Sequence, residues 1–323
     1  MPRPDSSTTI QRPDLGAIAY EYALGASHRG FIAEAVMPTF DVAEQSADYP
    51  VIPIESLLKM PASIERKPRG GYQRGDYEFG DGTYSCREYG WEEPLDDTER
   101  VLYARFFDAE EVAVARAVDI VLRHREKRTA DKVFNTNNIS NNGAVTNEWS
   151  KPADCTPRAD VKDAKATLRA ATGVEPNGLA ISKKVFDNLL VCKEIKDYLQ
   201  YTNPHLMATR ELQRQLVAQY LDVDTLVVGN AIYDAAKKGK SKSLADIWDD
   251  EYALLFKVPE NTMNLREPIL GRTFRWTADS PAQLSVETYR EEAIRSDIYR
   301  VREHTGEEFV FTGAAYLLSN ITE

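Results

Sequence analysis

The chain has 323 residues, 42% hydrophobic and 28% charged, enough to bury a sizeable core in one large domain or two ordinary ones. A net charge of −11 has the wrong sign for a protein whose whole surface grips nucleic acid, and no stretch approaches the ~20 apolar residues of a membrane span. Three widely separated cysteines (Cys86, Cys155, Cys192) exclude a complete disulfide framework or a CxxC metal knuckle and suit a reducing compartment, so the chain is expected to be soluble and made inside a cell.

Residues 1–45 carry Pro2, Pro4, Pro13 and Pro38 and only short apolar clusters, too little to form a core alone. They read either as a frayed terminus or as an arm draped over another subunit. Residues 46–95 are rich in proline, glycine and aromatics. Tyr77 and Phe79 alternate ahead of Gly80-Asp81-Gly82, and Tyr84 and Cys86 alternate after it, which predicts a hairpin turning at those glycines. Charge is segregated along this stretch: Lys59, Arg66, Lys67, Arg69 and Arg74 face a single acid, Glu65, whereas Asp76 to Glu99 holds nine acids and one base, Arg87. A solvated hairpin would account for that bias, but loops of this length inside a compact domain are uncommon and usually functional. A flap with oppositely charged halves suits a head-to-tail contact between copies.

From Asp96 to about Phe134 there is no glycine or proline. Leu102, Phe106, Ala109, Ala113, Ala117 and Ile120 step at three and four residues, as do Phe107, Val114, Val118 and Val121. The spacing predicts one long strut helix, capped by Asp97 or Thr98 and loaded with Arg123, Arg125, Lys127 and Arg128 at its far end. A polar loop, Asn135 to Asn142, follows. Residues 151–270 alternate helices (Asp160–Thr172, Lys183–Leu190, Thr209–Leu221) with strands (Gly178–Ser182, Leu226–Val228), and Ile247-Trp248 with Tyr252–Val258 reads as a strand pair. Residues 271–323 are strand-rich, with alternation at Phe274/Trp276, Leu284/Val286, Ile298–Val301 and Phe309/Phe311.

Motifs for chemistry are few. Gly239-Lys240-Ser241 has the ending of a phosphate loop, but Asp234 stands where its first glycine belongs and Tyr233–Lys238 reads as helical. Lys237, Lys238, Lys240 and Lys242 then form a solvated basic loop or touch an acidic neighbour. The four histidines lie in four separate segments without a partner at i+3 or i+4, and no G-x-S-x-G elbow exists. No catalytic, cofactor-binding or metal-binding residue is assigned, and the balance shifts from enzyme to building block.

The order of arm, charged hairpin, strut helix, α/β unit and strand-rich return resembles the major capsid proteins of tailed bacteriophages, whose Hong Kong 97-type shell fold also builds encapsulin compartments. Local wording agrees: Asn177–Leu190 (NGLAISKKVFDNLL) looks like the start of the axial domain. Val227–Ala231, Ile247–Asp250 and Ala253–Phe256 follow in the family's order, and Arg295–Val301 through Ala314–Leu318 looks like its closing strands.

The resemblance implies an α+β fold with an N-terminal arm (1–45), an extended loop (46–95), a peripheral domain with spine helix (96–150), an axial domain (151–270) and a strand-rich return to the peripheral domain (271–323). It implies self-assembly through hexamers and pentamers into an icosahedral virion shell that encloses double-stranded DNA without sequence-specific binding. Scaffolding, portal and decoration proteins would be separate partners, with synthesis in the host cytoplasm and no membrane. Lys59, Arg66, Lys67, Arg69, Tyr72, Arg74, Tyr77, Phe79 and Tyr84 are the candidate subunit-interface residues of the loop. No asparagine partner is singled out for Lys59 or Lys67, so no covalent cross-link is assigned. Two alternatives stand beside this reading: an α/β enzyme with residues 50–94 as its lid, and an encapsulin-like cargo compartment.

Overall fold

The structure is a computed structural model and describes residues 10–11, 30–51, 58–61, 63–66, 68, 70–72, 74, 80–104, 106–202, 210–237, 239–259, 267–279 and 282–322. In chain order the first elements are β1 (Ile10–Gln11), α1 (Ala33–Val36), β2 (Thr39–Val42), β3 (Ser46–Val51), β4 (Gly80–Ser85) and β5 (Arg87–Asp96). Helices α2 (Asp97–Tyr103) and α3 (Ala109–Val133) follow. The expected single strut is therefore two helices. Asp96 accepts the Thr98 N–H at 2.7 Å and Asp108 accepts the Glu110 N–H at 2.9 Å, so two N-caps, each followed by an acidic first turn, start the helix twice. At ~1.5 Å per residue, α3 with its 25 residues is ~37 Å long.

The second half holds β6 (Asn142–Ala144), α4 (Pro157–Thr172), β7 (Gly178–Ser182), α5 (Lys183–Val191), α6 (Lys193–Thr202), α7 (Arg210–Tyr220) and β8 (Thr225–Gly229). It continues with β9 (Ile232–Asp234), β10 (Leu244–Asp246), β11 (Ala253–Phe256), β12 (Gly271–Trp276), β13 (Ser285–Glu291), β14 (Ser296–Phe309), a 3₁₀ turn at Thr312–Ala314 and β15 (Ala315–Ser319). Proline opens α4, and Gly173, at φ 73°, closes it in the left-handed conformation that glycine adopts without strain.

Two sheets organise these strands. In the first, ordered β1-β13-β14-β12-β2, the long β14 carries β13 and then β12 on one edge and β5 on the other. Helix α3 lies across β5 and β14 and seals Val114, Ala117, Val118, Val121 and Leu122 against Leu95, Leu284, Val286, Tyr299 and Val301. The second sheet runs β6-β15-β11-β7-β8, with the fully buried Ala253–Phe256 at its centre. Helices α4 to α7 cover it through Val161, Val185, Leu189, Ile195, Leu216 and Val217.

Several expectations are corrected. Gly80-Asp81-Gly82 is not a turn: it opens β4, which pairs antiparallel with β3 in the register Val51–Gly80 to Ser46–Ser85. The hairpin's connection is therefore residues 52–79. Ile247-Trp248 and Tyr252–Val258 do not pair, because β11 sits between β7 and β15. The described part of Tyr233–Lys238 is not helical: Tyr233 and Asp234 belong to β9, which pairs with β10, and residues 235–237 are irregular. The final strand does not return with β12 to β14: β15 crosses into the second sheet beside β11. Finally, Cys155 and Cys192 form a disulfide, leaving Cys86 free and buried.

Candidate assembly surface

The loop between β3 and β4 is fixed at its base by aromatic packing. The Tyr84 ring stacks on Phe274 at 4.6 Å, Tyr49 lies 5.5 Å from the same ring, and Phe40 meets it edge-on at 6.2 Å. Cys86 donates its thiol to the Phe274 carbonyl at 3.4 Å, and burial pushes that thiol up to about 11. Tyr84, expected to face a neighbouring subunit, is instead buried in the chain's own core, where burial also raises its hydroxyl. Its role is to anchor the loop.

Beyond this base, Lys59, Arg66, Tyr72 and Arg74 are exposed. Arg66 donates to the Gly70 carbonyl at 2.7 Å and lays its guanidinium 5.0 Å over the Tyr72 ring, forming a local knuckle. Lys67, Arg69, Tyr77 and Phe79 lie outside the described residues. Sequence reasoning missed three apolar neighbours, Leu58, Met60 and Ile64, which are exposed beside the basic residues. The signal was present as apolar residues interleaved with lysine and arginine.

A second surface lies at the start of the predicted strut. Leu102, Phe106 and Phe107 belong to its apolar stripe, yet all three are exposed, with Val101, Tyr103 and Val112 around them. Helix α2 is tied to β13 and β14 through its charged residues. Arg290 grips Asp97 through two bonds of 2.6 and 2.7 Å, and Arg100 bonds Asp297 at 3.1 Å and also pairs with Glu110. The bidentate Arg290 contact holds the Asp97 carboxyl below the usual carboxylate range.

Behind this surface lies a stiff brace. Glu303 on β14 is fully buried, with Arg125 at 3.6 Å and Arg128 at 3.3 Å, and Arg128 also bonds Glu307 at 2.8 Å. Its carboxyl is raised chiefly by burial, against the pull of both guanidiniums. Glu126 is likewise buried and accepts N–H bonds from Ile32 at 2.6 Å, Ala33 at 3.0 Å and the Trp248 indole at 2.6 Å. One carboxylate on α3 thus ties the start of α1 to Trp248, between β10 and β11. Among the described residues, no three His, Cys, Asp or Glu side chains converge as a metal site, and no helix is long and apolar enough to cross a membrane.

No family model matches the chain. It is 23% identical over 252 residues to the major capsid protein of Pseudomonas phage JBD67, covering 76% of each chain. The crystal structure of a phage-related protein from Bordetella bronchiseptica RB50 superimposes with a TM-score of 0.69 at 21% identity, covering 97% of this chain and 98% of that one. The capsid structure of cyanophage P-SCSP1u matches with a TM-score of 0.56 at 10% identity, over 88% and 86% of the two chains.

Proposed function

We propose, from the premise that this chain has the Hong Kong 97-type shell fold of tailed-phage capsid proteins, that it is a major capsid protein whose copies close into an icosahedral head around double-stranded DNA. The observation that carries this reading is end-to-end likeness: one alignment spans 76% of both chains and one superposition nearly all of both. In this reading the connection between β3 and β4 reaches across a neighbour in a hexamer or pentamer, while β5 stays in the chain's own first sheet. The α3–β14 brace transmits load, and the second sheet with β15 forms the axial unit. Function is mechanical rather than catalytic, and the head is completed by a separate scaffolding protein, a portal and decoration proteins.

A net charge of −11 fits a wall that holds DNA without adhering to it, because phosphate affinity comes from cationic side chains and counterion release. Many modest contacts per copy, made at several points at once, then give a lattice far stronger than any single contact. Negative-stain microscopy of the purified chain, with scaffolding supplied or crowding raised, tests this. Closed shells of uniform diameter are expected; a monomer at every concentration and ionic strength would overturn the proposal.

A further inference from the structure

Helix α4 carries four basic residues, Arg158, Lys162, Lys165 and Arg169, spaced four, three and four positions apart. At about 100° per residue that spacing stacks all four on one narrow stripe. The two acids of the helix stand off it. Asp160 turns to accept the Trp149 indole N–H at 2.9 Å, and Asp163 lies about 100° round the helix from Lys162. Like charges one turn apart repel, and on a chain of net charge −11 this stripe is a local exception.

The stripe lines one side of a groove of about 370 Å³, whose other side is the turn from α7 to β8, with Gln219, Leu221 and Asp222. Two of the cations are held in place. The Arg158 guanidinium lies 5.1 Å over the Tyr220 ring, whose hydroxyl donates to Glu194 at 2.6 Å. Lys165 bonds the Asp222 carboxylate at 3.0 Å and the backbone carbonyl of the same residue. Glu175 is the other acid of the lining. Lys162 and Arg169 are exposed and take no acidic partner among the described residues.

The groove offers a ligand little apolar surface, since Leu221 is buried and Ala166 presents only a methyl group. An acidic protein segment would find no apolar anchor there. A phosphate strand needs none, because its affinity comes from cations and released counterions. Along the helix axis the stripe runs ~16 Å, the length of about five phosphates of one duplex strand at ~3.4 Å each.

We infer that the α4 groove is a binding site for consecutive phosphates of a nucleic-acid backbone, held by Arg158, Lys162 and Arg169 without regard to base sequence. From the capsid reading it takes only the identity of the polymer, the DNA that the shell encloses. It marks one fixed contact on a chain whose net charge otherwise repels that polymer.

The test uses the unassembled full chain and a short fluorescein-labelled DNA duplex, with binding followed by anisotropy across a salt series. Three cations without acidic partners predict a slope of log affinity against log salt of about −2.7. Lys162→Ala with Arg169→Ala should weaken binding about tenfold or more and flatten the slope by about 1.8, while thermal unfolding stays at the wild-type temperature because both positions are exposed. Lys240→Ala with Lys242→Ala, in the basic loop between β9 and β10, removes the same charge and should leave the slope at its wild-type value. Acetylation by an N-hydroxysuccinimide ester should spare Lys162 once duplex is bound and still modify Lys240.

Equal losses from the two double variants would reduce the effect to net charge and overturn the site, as would wild-type binding by the α4 variant. Labelled polyglutamate bound as tightly as the duplex would reassign the groove to an acidic protein partner. Inorganic tripolyphosphate bound without the duplex would reassign it to a free polyphosphate, and either result overturns the backbone assignment. These measurements are made without shells, so their failure leaves the capsid reading standing, and a chain that forms no shells leaves them unchanged.

Discussion

Helices α2 and α3 are consecutive, start with the same Asp cap, and obey opposite rules. Helix α3 takes apolar residues inward and carries charge with them, because Arg125, Glu126 and Arg128 each find buried partners. Helix α2 ties Asp97 and Arg100 to β13 and β14 at the surface and leaves its apolar residues exposed. The pair teaches that periodicity identifies a helix's apolar side without saying what will cover it. In α3 the cover is β5 and β14 of the same chain; for α2 nothing among the described residues serves.

Breaking the brace should have the largest effect. Glu303→Ala takes the nearest carboxylate from Arg125 and leaves Arg128 only Glu307, and removing one partner of a buried ion pair costs about 3–5 kcal/mol. Chemical denaturation of the unassembled chain should register that loss as a lower midpoint. A midpoint equal to wild type would mean that Glu307 and Glu34 satisfy the two guanidiniums. The next effect isolates the comparison with one residue type. Leu122→Ala, in the α3–β14 core, should lose about 2–5 kcal/mol, whereas Leu102→Ala, on the exposed side of α2, should move stability by less than about 0.5 kcal/mol. Equal losses from the two leucines would show that α2 is packed in solution.

How much of this was legible in the sequence follows from how local each cause is. The strand Gly178–Ser182 and the helix behind it were readable because an apolar run ends at a serine whose hydroxyl accepts the Val185 N–H at 3.3 Å. The stripe of α3 was readable for the same reason, and the basic, exposed character of Lys59, Arg66 and Arg74 needed only composition. The hairpin was misplaced because Asp-Gly signals a local turn, while β4 takes its register from β3, joined through a connection spanning residues 52–79. Phe274 claims Tyr84 from 190 residues downstream in sequence, a distance no spacing rule spans. Cys155 and Cys192, 37 positions apart, carry no local mark of their pairing. The break between α2 and α3 did leave a trace in Asp96 and Asp108, two caps inside one apparent helix.

The smallest effect concerns Glu126, the point where α3 meets both the segment before α1 and Trp248. Burial pushes its carboxyl above the ordinary value, and the N–H bonds from Ile32, Trp248 and Ala33, together with nearby Arg125, oppose that shift without cancelling it. The folded chain therefore holds this proton at pH values where the unfolded chain has released it. Stability falls as pH rises from the ordinary glutamate value, about 4.3, through the raised folded value, and below that window the two states bind the proton alike. Glu126→Gln keeps the shape and removes the titration. Its amide has no acceptor among the three N–H donors, so it should sit at a constant lower midpoint wherever the native glutamate is protonated. Denaturation midpoints of both proteins, measured across a pH series, should converge as pH rises, because only the wild type takes on the cost of a buried charge. Parallel curves would mean that the three donors and Arg125 fully compensate the buried carboxylate, making α3 as indifferent to charge at this site as α2 is to its exposed leucine.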